Sequence, residues 1–174
     1  MKKIILSSLA VFFVVGGFAI AKDVIYQYPA NIKNVHIPQH KVVSCKFNQT
    51  KTIPNSNAYI KSGGDFKFNI EHGVVFNTLY PVKATTSYTS EQNKRVSDII
   101  TAISKKDYSY INKNFDVYYM KNGSVWHLAL KSKSSSKISN VMDSIFINGD
   151  NYINQISINT RKSGSTKINF TECR

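Results

Sequence analysis

The chain has 174 residues, with 23 Lys+Arg against 10 Asp+Glu for a formal charge of +13, 42% hydrophobic and 12% aromatic residues, and two cysteines. This is the composition of one globular domain around one core, and it excludes a disordered, a collagen-like or a disulfide-dense chain. The cations are almost all Lys, with Arg only at Arg95, Arg161 and Arg174; planar recognition of phosphates and guanine edges favours Arg, so no nucleic-acid partner is expected.

Lys2-Lys3, the apolar run from Ile4 to Phe18 and the triplet Ala19-Ile20-Ala21 have the layout of a secretory signal peptide over residues 1–21, cleaved after Ala21. Ser7, Ser8, Gly16 and Gly17 within the run distinguish it from an uncleaved anchor. Beyond Ala21 there are 21 basic against 10 acidic side chains, a net charge of +11, and no apolar run of membrane length. The mature chain is therefore expected outside the cytoplasm, where a basic surface meets anionic lipid head groups or acidic polymers. Two cysteines in an oxidising compartment predict one disulfide, Cys45 to Cys173.

Residues 22–41, with Pro29 and Pro38 and little periodicity, read as an irregular N-terminal arm with at most a short helix. A single domain follows over residues 42–174. Val43, Cys45 and Phe47 alternate with polar residues as a half-buried strand. The next strand runs from about Ala58, with Phe66, Phe68 and Ile70 on one face and Gly63-Gly64 marking a bulge. A third covers Val74 to Tyr80, and a fourth Ala84 to Tyr88. The period then changes to 3.6: Val96, Ile99, Ile100 and Ile103 form one helical stripe, with Ser90 as N-cap, Glu91 in the first turn and Lys105 and Lys106 at the C-terminal end. Asp107 caps a second short helix through Ile111. Strands return from Phe115, with a hairpin at Asn122-Gly123, and continue through Trp126 to Leu130, Ile145 to Asn148, Gln155 to Thr160 and Thr166 to Thr171. Eight or nine short strands in meander order predict a mainly β (α+β) fold, a curved antiparallel sheet forming an open, unclosed β-barrel with a helical lid.

Chemistry-bearing motifs are sparse. His36 and His40 are four apart, but Pro38 between them denies the helix that would aim both at one metal, so they read as exposed loop histidines and no metal site is expected. Acidic residues are scattered singly, with no dyad and no nucleophile and base pair. Neither a catalytic residue nor a cofactor is expected. The informative feature is the apolar face: Phe47, Phe66, Phe68, Phe76, Trp126, Leu128, Leu130, Ile156, Ile158, Ile168 and Phe170 converge on the concave side of the sheet, and the stripe of Val96, Ile99, Ile100 and Ile103 covers them as a lid. One sheet covered by one or two helices offers few facing side chains to fill a wide barrel, which points to a cavity.

Phe47-x-Gln49-x-Lys51, Ser62-Gly63-Gly64-x-Phe66-x-Phe68 and Gly73-Val74-Val75-Phe76-x-Thr78-x-x-Pro81 resemble the opening strands of the LolA-like periplasmic outer-membrane lipoprotein carriers. Trp126-x-Leu128-x-Leu130, Ile145-x-Ile147-x-Gly149, Ile156-x-Ile158 and Gly164-x-Thr166-x-Ile168-x-Phe170 are similar to the rest of that pattern, so that the likeness spans roughly residues 42–170. The proline-bearing arm, and the lack of a Ser-Asp-Gly-Lys-aromatic segment between Thr85 and Ser97, mark a divergent branch. The resemblance implies a monomeric periplasmic carrier serving outer-membrane biogenesis, a chaperone that sequesters the acyl chains of a lipoprotein or glycolipid and passes them from an inner-membrane donor to an outer-membrane acceptor. Two other classes stay open: an exported enzyme or accessory domain acting on a lipid or glycan, and a surface interaction protein whose sheet edge pairs with a partner.

Overall fold

Alternation of apolar and polar side chains extends β1 over Val42–Thr52, with Cys45 and Phe47 turned inward and buried. In the computed structural model, which describes residues 22–87, 91–162 and 164–174, it is followed by β2 (Tyr59–Asn69), β3 (Gly73–Tyr80) and β4 (Ala84–Ser87). The expected signal peptide over 1–21, Tyr88 and the N-cap at Ser90 lie outside the described residues, as do the side chains of Glu91 and Val96. The register between β2 and β3 shifts at Gly63/Gly64, the bulge that the glycine pair predicts.

Helices α2 (Glu91–Ser104) and α3 (Tyr108–Asn114) come next. Lys106 takes φ 55°, and the N–H groups of Lys106 and Asp107 donate back to the carbonyls of Ile103 (3.2 Å) and Ala102 (2.8 Å), the paired bonds that terminate a helix. Lys105 and Lys106 therefore sit just past the last turn rather than in it. Asp107 caps α3 as expected, its carboxylate accepting from the Ser109 N–H at 3.2 Å.

The second half is a five-stranded meander: β5 (Phe115–Asn122), β6 (Val125–Ser132), β7 (Met142–Gly149), β8 (Ile153–Thr160) and β9 (Ser165–Thr171). The β5–β6 loop is Gly123-Ser124, one residue later than the Asn-Gly pair suggests. Asn122 still pairs with Val125, and Gly123, at φ 60°, supplies the positive angle that a two-residue hairpin needs at its first loop position.

The nine strands among the described residues form one unclosed antiparallel sheet in the order β4-β3-β2-β1-β9-β8-β7-β6-β5. The strands do not run as the one continuous meander that their sequence order suggests. Two meanders join in the middle of the sheet, where Phe47 lies opposite Phe170 and Gln49 opposite Ile168, which leaves β4 and β5 as the edges. Helices α2 and α3 carry the chain from one edge to the other. The sheet also curls: Phe66 on β2 and Trp126 on β6 line one small cleft, although five strand spacings would hold them roughly 24 Å apart in a flat sheet.

The arm uses that curl. It opens with the single helical turn α1 (Lys22–Ile25), after which Tyr26 packs edge-on against Tyr118 (5.0 Å) and Phe146 (5.7 Å), on the outer face of β5 and β7. Its backbone then follows the β5 edge, the Ala30 N–H donating to Val117 O (2.9 Å) and the Tyr119 N–H to Tyr28 O (3.0 Å). A 3-10 turn at Ile32–Asn34, capped by Asn31, drives Ile32 into the inner core at 1% exposure. The arm thus wraps the edge from outside to inside and covers an otherwise unpaired strand.

Candidate functional site

The inner face of the sheet gathers the apolar positions singled out from the sequence. Phe47, Phe66, Phe68, Phe76, Trp126, Leu128, Leu130, Ile156, Ile158, Ile168 and Phe170 are all buried in one core, joined by Ile99, Ile100 and Ile103 of α2. Rings from four strands interlock there: Phe76 meets Phe47 and Phe66 edge-on at 5.1 Å each, and Phe170 lies 4.7 Å from Phe66.

Most of this interior is filled. Ile99 and Ile100 meet Ile145, Ile147, Ile156 and Ile158 with no room for a water molecule between them. Space remains at one end, where Phe66, Phe68, Phe170 and Trp126 face Ile100 and Ile103 across a cleft of about 50 Å³. The cavity expected from the sequence is, in this arrangement, a narrow apolar cleft beneath α2.

The helix is held by few groups. Ile99, Ile100, Ala102 and Ile103 are its buried apolar side chains among the described residues, and Ser97 buries a hydroxyl that has no hydrogen-bond partner there. Such an orphan costs about 1–3 kcal/mol, a sizeable part of what the docked stripe contributes.

One wall of the cleft was not legible in the sequence: a strap of arm residues, His36 to His40, whose Ile37, Pro38, Gln39 and His40 cross its mouth. The Tyr119 hydroxyl donates to His36 O at 2.8 Å, and His40 Nε2 donates to Asn151 O at 2.7 Å while the imidazole stacks on Tyr152 at 4.5 Å. His40 therefore fastens the arm to the β7–β8 turn instead of lying as a free loop histidine. No local signal marks this strap, because its role depends on a turn more than a hundred residues away. Among the described residues no group of three or more His, Cys, Asp or Glu is placed to hold a metal ion.

Trp126 anchors the other side. It is 1% exposed, and its indole Nε1–H donates to Asp150 O at 2.8 Å. Gly149 makes this possible, since a Cβ there would lie 2.0 Å from Tyr152 O and 2.7 Å from Trp126 Cζ2. Gly149→Ala is expected to destabilise the fold by about 2 kcal/mol through backbone displacement, and to shift Trp126 emission to the red as the indole loses its seat. Thermal unfolding and fluorescence of the variant check both effects.

The Cys45–Cys173 disulfide forms as predicted. Among the described residues no helix is long and apolar enough to cross a membrane. No family model matches the chain, and no curated protein matches it.

Proposed function

We propose that the protein is a non-catalytic carrier of acyl chains, an exported protein that moves lipidated cargo between the inner and outer membranes as the likeness to LolA-like carriers implies. The observation that carries this reading is the apolar inner face of an unclosed sheet covered by one thinly docked helix, with a cleft already present beneath it. A cleft of about 50 Å³ takes only the tip of a chain, so loading requires α2 to lift. The acyl chain then lies between the sheet and Ile99, Ile100 and Ile103, which close over it. Burial is worth roughly 0.8 kcal/mol per methylene, so a long chain offsets the lost lid contacts with no covalent step. The disulfide supports an oxidising compartment.

Trp126 is the single tryptophan and lines the cleft, which makes it the reporter. Titrating the mature protein with palmitate below its micelle concentration is expected to change Trp126 emission saturably, with a one-to-one complex in native mass spectra. A protein that gives neither signal, and that carries no lipid when isolated from the periplasm, is not an acyl carrier.

A further inference from the structure

Beside the apolar cleft lies a second recess of about 390 Å³, and Ile37, Pro38, Gln39 and Trp126 line both. Its rim is cationic. Lys33 reaches it from the 3-10 turn of the arm, Lys106 from the end of α2 and Lys121 from the end of β5, with His36 beside them. Among the described residues the one carboxylate on this rim is Asp150, which the backbone N–H of Tyr152 holds below the usual carboxylate range and so keeps ionised. Among the described residues, three lysines thus line the recess with one carboxylate. The ion pairs among the described residues, Lys46 with Asp65 and Arg161 with Asp143, engage none of the three lysines. The three lysines come from separate elements and meet at one recess that abuts the apolar cleft.

A cationic recess divided from an apolar cleft by a single strap complements an amphiphile with a charged head. A phosphate presents several acceptor oxygens to ammonium groups arriving from different directions, whereas a carboxylate presents two in one plane. Building on the carrier reading above, we infer that the cargo is a lipid with an anionic phosphate head group. Lys33, Lys106 and Lys121 hold the head, and the acyl chain passes Trp126 and the strap into the cleft.

The test uses the mature chain and three probes below their micelle concentrations: palmitoyl lysophosphatidic acid, monopalmitoylglycerol with the same chain, and glycerol 3-phosphate with none. At low ionic strength the phosphate lipid is expected to bind at least about tenfold more tightly than the uncharged one, a ratio that added salt reduces. The triple variant Lys33→Gln/Lys106→Asn/Lys121→Gln should bring the ratio toward one; Asn at position 106 tolerates the left-handed backbone there. If the triple variant fails to fold, Lys33→Gln and Lys121→Gln, both exposed positions, are each expected to lower the ratio by part of that amount. Equal binding of the two lipids, or a ratio that the variants leave unmoved, overturns the head-group assignment and leaves the carrier reading standing. Glycerol phosphate binding as tightly as the phosphate lipid also overturns it, because the recess is then an anion site with no link to the cleft. Binding of neither lipid defeats the carrier reading itself.

Discussion

Ile100→Asp is expected to weaken acyl-chain binding by about tenfold or more while the sheet stays folded. Ile100 is 3% exposed and stands at the junction of the two regions under α2, facing Phe66 and Phe68 across the cleft and Ile145 to Ile158 where the packing is complete. A carboxylate there must be desolvated each time the helix closes, a cost of several kcal/mol unless it protonates or turns outward. The stripe that docks α2 is short and already carries the orphan Ser97 hydroxyl. The helix should therefore undock, exposing its own amides to exchange while β6 stays protected. Fatty-acid binding, thermal unfolding and hydrogen exchange on one preparation decide the matter. Cooperative loss of the whole sheet, with unchanged affinity in the fraction that remains folded, would make Ile100 ordinary core and α2 no lid.

Removing the disulfide, by reduction or as Cys45→Ala/Cys173→Ala, is expected to cost a large part of the fold's stability. The bridge closes a separation of 128 residues, for which the chain-entropy relation gives roughly 4 to 5 kcal/mol. For a chain of this size that corresponds to a melting temperature lower by on the order of 10–20 °C. Its location adds to the effect. Ser44 and Arg174 exchange backbone hydrogen bonds at 2.9 and 3.0 Å beside the bridge, so the staple holds the β1–β9 seam where the two meanders meet. Opening that seam splits the inner face and exposes Phe47, Phe66 and Phe170 together. Thermal unfolding with and without reductant measures the loss, and a change of only a degree or two would mean that strand pairing alone holds the seam.

Within each half of the molecule, local sequence suffices to identify the elements. Cys45 and Phe47 alternate with Lys46 and Asn48 because one face of β1 is buried and the other wet, and the same rule marks β6 at Trp126, Leu128 and Leu130. Hairpins need specific residues at their turns, so Gly123 and the Gly63/Gly64 bulge were visible, as was the Asp107 cap. With two cysteines only one intramolecular pairing exists, and the apolar face of eleven residues followed from the strand period. The tertiary structure decided what no local signal encodes. Pairing β1 with β9 joins residues more than a hundred positions apart, and neither strand differs in pattern from one that pairs with its sequence neighbour. That choice makes β4 and β5 the edges, sends α2 across the open side, and lets a proline-bearing arm without periodicity wrap one edge and close the mouth through His40. It also set how full the interior is: apolar pattern says which side chains face inward, but only the curl of the sheet and the depth of α2 determine the space left among them, because packed volume depends on distances that pattern does not contain.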